Sequence, residues 1–154
     1  NRPFAAEEWE FAGGKSLFDR ARQEARESRI DGRPDILGSD IDARSIDLCK
    51  KHAKKAGVMV NWKVAPLKEL STDKSGGLIV CNPPYGERMM EKREAEALYR
   101  EMRHKFDELD NWQVSVITAY RDFERIYGKR ADKRRKLSNG GMVCTMYQYF
   151  KRND

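Results

Sequence analysis

The sequence predicts an α/β fold built on a mainly parallel sheet that ends in an antiparallel hairpin. Three observations carry this. Segments with apolar residues at helical spacing alternate with short apolar or period-two runs. One apolar run, Gly77-Leu78-Ile79-Val80-Cys81, is stopped by Asn82-Pro83-Pro84-Tyr85. Near the C-terminal end, Asn139-Gly140-Gly141 separates two runs that read as strands, which is a hairpin signal.

The elements follow in order. Residues 16–28 carry Leu17, Phe18, Ala21 and Ala25 at helical spacing. Pro34 opens Ile36-Leu37-Gly38, which reads as a strand. Residues 43–56 place Ile46, Cys49, Ala53 and Ala56 on one helical face, with Asp42 as N-cap and Gly57 as stop. Val58, Val60, Trp62 and Val64 alternate as a strand with one buried face. After the run 77–81 comes a long amphipathic helix over about 91–109, with Ala95, Leu98, Tyr99, Met102, Phe106 and Leu109 as its apolar stripe. Trp112–Thr118 is a strand and 122–128 a short helix. Arg135–Ser138 and Met142–Phe150 form the hairpin arms. No internal repeat or low-complexity linker interrupts the pattern.

Composition sets outer limits. The 154 residues suit one domain with one core. With 39% hydrophobic and 36% charged residues the chain is expected to be soluble, without a membrane partner and cytoplasmic. Cys49, Cys81 and Cys144 are odd in number and widely spaced, which fits a reducing compartment and neither a zinc site nor a disulfide framework. His52 and His104 sit among charges in helical patterns, as solvated side chains do. The net charge of +6 is concentrated: segment 129–136 holds six basic residues and one acidic one, so all other positions together contribute +1. Such a cluster is the footprint of a phosphate-binding patch, and Tyr120, Phe123 and Tyr127 precede it.

The chemistry concentrates at Asn82-Pro83-Pro84-Tyr85. Two prolines lack N–H groups and have fixed φ, so the chain leaves the strand stiff and extended. Asn82 and Tyr85 are thereby held at a strand's C-terminal end, where open α/β sheets bind ligands. The Asn82 side-chain oxygen and a neighbouring backbone carbonyl are two acceptors suited to an exocyclic amino group. Tyr85 offers a flat face for a base.

This tetrapeptide resembles motif IV of the S-adenosylmethionine-dependent methyltransferases that modify exocyclic or amide nitrogens. With Gly86-Glu87-Arg88 it is similar to the RNA guanine-N2 methyltransferases that usually carry an N-terminal THUMP domain. The resemblance extends to Asn1-Arg2-Pro3-Phe4 with Glu8-Trp9, to Gly38-Ser39-Asp40-Ile41-Asp42, and to Lys136-Leu137-Ser138-Asn139-Gly140.

The resemblance implies the Rossmann-like class I methyltransferase sheet, with seven strands ordered 3-2-1-4-5-7-6. Strands 2 to 7 have counterparts here. Strand 1 and its glycine-rich loop do not, and Gly13-Gly14 is no substitute because no strand precedes it. Residues 1–154 are therefore expected to form a partial methyltransferase catalytic domain. An upstream segment of the same enzyme, with a THUMP domain, is expected to supply the rest. Without strand 1 the sheet has two extra edges and an apolar gap.

Site roles follow from the same resemblance. Asn82, Pro83 and Tyr85 are the catalytic set. Asp40, at the end of the second family strand, takes the ribose hydroxyls of S-adenosyl-L-methionine. Ile41 packs on the adenine, and Asn82 borders the cofactor. The family's acid after the next strand, which contacts the adenine amine, is replaced by Pro66, with Glu69 three residues on. Arg88, Lys129, Arg130, Lys133, Arg134 and Arg135 are expected to bind RNA, ribosomal RNA above all. The same features allow an adenine-N6 methyltransferase of DNA or RNA, a protein-glutamine methyltransferase, or a non-catalytic RNA-binding fragment.

Overall fold

Six strands carry the structure, a computed structural model that describes residues 3–30, 32, 35–86, 89–139 and 141–150. In chain order they are β1 (Leu37–Asp40), β2 (Asn61–Val64), β3 (Gly77–Cys81), β4 (Trp112–Thr118), β5 (Lys133–Asn139) and β6 (Met142–Tyr149). The helices are α1 (Gly14–Glu27), α2 (Ala43–Ala56), α3 (Met89–Asp107) and α4 (Phe123–Tyr127). The chain divides into two units, residues 1–36 and 37–154.

The first unit holds two 3-10 turns and α1. Glu7 accepts from the Phe4 backbone N–H at 2.7 Å and pairs with Arg22. That guanidinium draws the Glu7 carboxyl below its ordinary range. Phe4 packs on Phe18 at 6.0 Å, while Leu17, expected on the buried face of α1, remains 42% exposed.

In the second unit β1 and β2 form a two-stranded parallel sheet, and the other four strands form a sheet in the order β3-β4-β6-β5. The β3–β4 pair is parallel; the β4–β6 and β5–β6 pairs are antiparallel. Set against the expected order 3-2-1-4-5-7-6, β2 and β1 occupy positions 3 and 2, and the four-stranded sheet occupies 4, 5, 7 and 6. The break between the two sheets falls at the position of strand 1 in that expected order.

Local chemistry explains the elements. Asp42 caps α2, accepting from the Arg44 and Ser45 N–H groups at 3.1 Å each. The Ser45 hydroxyl, which donates at 2.8 Å, is the main cause of the lowered Asp42 carboxyl pKa. Gly57 ends the helix in the left-handed region at φ +67°. Trp62 lies flat over Gly38 on the neighbouring strand, where a Cβ would collide with its ring. The expected strand from Val58 shortens to Asn61–Val64, because its partner ladder starts only at Leu37.

The core lies on one face of the four-stranded sheet. Tyr99, Met102 and Phe106 of α3 pack with Val114 and Val116 of β4, Phe123 and Tyr127 of α4, and Tyr147 and Tyr149 of β6. The stripe expected for α3 is the face that is buried. Phe123 and Tyr127 are 0% and 2% exposed, so these two rings are core residues and offer no platform to a nucleobase. Tyr120 is half-buried, its ring edge-on to Tyr99 at 5.4 Å. The basic run is also reshaped: its second half is not loop or helix end but edge strand β5. Among the described residues, no helix is long and apolar enough to cross a membrane.

Candidate active site

The Asn82–Tyr85 segment leaves β3 in extended form and is held from both sides. From the α3 side, the fully buried Tyr99 donates its hydroxyl to the Pro84 carbonyl at 2.7 Å. The same hydroxyl lies 3.4 Å from Thr118 Oγ1, and Thr118 Oγ1 accepts from the Tyr120 N–H at 3.1 Å. On the other side, Tyr85 donates its hydroxyl to Asn82 Oδ1 at 2.7 Å, and Cys144 Sγ lies 3.7 Å from that hydroxyl. Burial first, then Cys144, raise the Tyr85 pKa against the hydrogen bond to Asn82, which lowers it; the phenol stays protonated and able to donate.

These contacts divide the acceptors. The Pro84 carbonyl is spent on Tyr99. Among the described residues the Pro83 carbonyl accepts no hydrogen bond, and Asn82 Oδ1 has one lone pair left after Tyr85. Asn82 is exposed and Pro83 half-buried. Gly86 then turns the chain at φ +67°, where a Cβ would sit 2.7 Å from Lys92 Cα; only glycine allows the loop to lie this close to α3. An open cavity of about 340 Å3 lies beside the motif, lined by Pro84, Tyr85 and Gly86 and by Glu91, Glu94 and Leu98 of α3. Burial raises the Cys81 thiol to about 12, which leaves it unsuited to nucleophilic work.

Asp40 ends β1. Its Oδ1 accepts from the Asp42 N–H at 2.8 Å, and its backbone carbonyl accepts from Ala65 at 2.9 Å. Its second carboxylate oxygen remains for a ligand, and Ile41 beside it is 75% exposed. A carboxylate and an apolar side chain at a strand end fit the ribose and adenine of a nucleoside cofactor. Glu69 faces Lys63 at 3.4 Å, so that carboxylate is already matched by a cation. Among the described residues, no hydrogen bond or ion pair joins the Asp40 region to the Asn82 motif.

The basic residues are dispersed. Arg88 lies outside the described residues. Lys129 is half-buried, its ammonium 5.9 Å from the Tyr149 ring centre, and its carbonyl accepts from the Tyr149 hydroxyl at 3.2 Å. Arg130 is exposed in the loop before β5. Arg134 is clamped to Glu124 through two nitrogens, at 2.6 and 3.0 Å. Lys133 and Arg135 are exposed, and among the described residues neither has an ion-pair partner. Two structural roles escaped the sequence reading: Tyr99 under Pro84, and Glu124 holding the basic loop through Arg134 and the Ala131 N–H. A tyrosine inside an otherwise apolar stripe is the one available signal, because its buried hydroxyl needs a partner.

Known proteins resemble this chain in sequence and fold. The family model described as an RMKL-like methyltransferase domain matches residues 1–148. The chain is 41% identical over 155 residues to the Bacillus subtilis protein named "Putative RNA methyltransferase YpsC", covering 99% of this chain and 40% of that one. It is 32% identical over 135 residues to the ribosomal RNA large subunit methyltransferase K/L of Legionella pneumophila strain Corby, covering 86% of this chain and 19% of that protein. The solved structure of "SMU.472, a putative methyltransferase complexed with SAH" superposes with a TM-score of 0.86 at 37% identity, covering all of this chain and 41% of that one. The chain thus spans less than half the length of each of these relatives. A sheet ordered as in class I methyltransferases, an asparagine-proline clamp at the end of β3 and a family match over nearly every residue lead to one assignment: this chain belongs to the RMKL-like methyltransferase domain family.

Proposed function

We propose that this domain serves an enzyme that transfers a methyl group from S-adenosyl-L-methionine to the exocyclic N2 amine of guanine in RNA, with ribosomal RNA as the substrate class. The observation that carries the proposal is the neighbouring pair of acceptors, Asn82 Oδ1 and the Pro83 carbonyl, on a loop that Tyr99 and Cys144 contact through Pro84 and Tyr85. The K/L relatives, named as ribosomal RNA methyltransferases, support the substrate class.

The residues do the work of position. Asp40 and Ile41 would hold the cofactor's ribose and adenine. When bound, the cofactor supplies an electrophilic methyl group. Asn82 Oδ1 and the Pro83 carbonyl accept the two amino hydrogens, which turns the nitrogen lone pair outward and stabilises the positive charge that develops on it. No strong base is needed, because the proton can depart to water after transfer. The base must be unpaired or flipped, at a cost of a few kcal/mol, and stacking on Tyr85 offsets about 1–3 kcal/mol of it.

The break between β1 and β3 supports a domain completed by a further strand; that this strand carries a glycine-rich loop and belongs to an upstream segment with a THUMP domain is what the family resemblance implies. Calorimetry tests this part: cofactor binding is expected to be absent or weak with residues 1–154 alone and restored on adding the upstream segment. The activity is tested by mass spectrometry of ribosomal RNA nucleosides from cells with and without the full gene. Loss of N2-methylguanosine at one site is expected. Unchanged N2-methylguanosine at every site refutes the proposal, and loss of N6-methyladenosine instead would reassign the acceptor.

A further inference from the structure

Strand register sorts the basic run of β5 onto two faces. Opposite residues of an antiparallel pair project to the same side, and successive residues of a strand to opposite sides. Leu137 pairs with Cys144, whose sulfur lies 3.7 Å from the Tyr85 hydroxyl. Leu137 therefore shares the face on which the Asn82–Tyr85 clasp sits. Arg135 and Lys133, two and four residues before it, share that face too. Arg134 and Lys136 project to the other face, where Arg134 meets Glu124 on α4.

The register also sets the height. Val116 of β4 pairs with Cys81 on one side and Tyr147 on the other. One residue on, Ile117 pairs with Met146 and Met146 with Arg135, while Asn82 follows Cys81 just past the end of β3. Arg135 is thus level with Asn82 and three strand spacings away, roughly 14 Å between Cα atoms at about 4.8 Å per spacing. A nucleotide with its base amine at Asn82 carries its phosphates beyond the base and sugar. An arginine side chain reaching inward from Arg135 closes the remaining distance. Among the described residues Arg135 has no ion-pair partner.

Resting on the RNA reading above, we infer that Arg135 contacts the RNA phosphate flanking the target nucleotide, with Lys133 behind it on the same face, and that the adjacent Lys136 takes no part. The basic run is a one-sided phosphate rail rather than a diffuse positive patch. Each phosphate neutralised by such a residue releases counterions and adds to the salt dependence of binding.

The test uses the full-length protein and an RNA stem-loop with unpaired guanines in its loop, with dissociation constants measured across a salt series. Arg135→Gln is expected to lower the slope of log affinity against log salt by roughly 0.7 to 0.9, the share of one phosphate. Lys133→Gln is expected to shift it in the same direction, and Lys136→Gln to leave it unchanged. A melting curve for each variant separates lost folding from lost contact. Equal shifts for Arg135→Gln and Lys136→Gln, or none for Arg135→Gln and Lys133→Gln, overturn the inference and leave the RNA reading standing. Failure of the wild-type protein to bind RNA at any salt overturns both.

Discussion

Tyr99 donates its hydroxyl to the carbonyl of Pro84 across 2.7 Å, joining the middle of α3 to the active loop. The tyrosine is 0% exposed, whereas Pro84 is exposed, so the bond lies at the boundary between core and solvent. Tyr99→Phe removes this hydrogen bond and is expected to cost about 0.5–1.5 kcal/mol of stability. It should also lower kcat of the full-length enzyme several-fold, with little change in KM for the cofactor, because the loop loses its lower support. Denaturant melts and steady-state methyl transfer check this. An unchanged kcat would show that Pro83 and Pro84 alone hold the loop.

Asn82 and Tyr85 separate in their kinetic effects. Asn82→Ala removes an acceptor that strengthens as charge develops, so kcat is expected to fall about 10²- to 10³-fold with RNA affinity nearly intact. Tyr85→Ala removes a stacking face worth about 1–3 kcal/mol and should raise the RNA KM by roughly 5- to 150-fold. Tyr85→Phe keeps the ring and loses the clasp on Asn82, so most of the RNA affinity is retained. Asn82→Ala activity within a few-fold of wild type would contradict the role of that amide.

Asp40→Asn keeps the shape of the β1 end and the bond to the Asp42 N–H. It removes the charge that strengthens hydrogen bonds from ribose hydroxyls, so cofactor affinity in the full-length protein is expected to fall about tenfold or more. Calorimetry with S-adenosylhomocysteine reads the change. RNA affinity should be unaffected, because the proposed RNA contacts lie outside β1.

Tyr120 carries a pH signature. Burial first, and then the Glu96 carboxylate that accepts its hydroxyl, raise the phenol to about 12 from an ordinary 10.0. The folded state therefore binds this proton more tightly than the unfolded chain. The linked stability is fully present below the unfolded pKa near 10 and is lost as pH rises through the folded value. Phenolate absorbance, as the difference between wild type and Tyr120→Phe, should show this late titration. Glu96→Gln should move the transition toward lower pH.

Element order was legible from residue spacing because the apolar patterns are strong: α2, β3 and β4 run over the residues expected. The Asn82 clamp was legible because two prolines leave the backbone little choice. Pairing partners were not. Whether β5 begins at Lys133 or Arg135 depends on β6, which keeps the ladder going to Gln148, and no local propensity reports that. The fate of each basic side chain was hidden for the same reason. Arg134 and Arg135 are neighbours of equal charge, and only the pleat, together with Glu124 across the sheet, tells them apart. Phe123 and Tyr127 looked like partners of the basic run in sequence, but the core of the second unit claims both rings.

The break between the two sheets has a practical consequence. β3 presents an unpaired edge among the described residues, and Leu78 and Val80 on it are each 60% exposed. A backbone ladder beside apolar side chains is a template for whatever extended chain arrives first. The acceptor clamp and the strand proposed to close the sheet can thus behave as two halves of a complementation pair. A synthetic peptide of the right register is expected to pair along β3, and two copies of the domain meeting edge to edge would occupy each other's free strand.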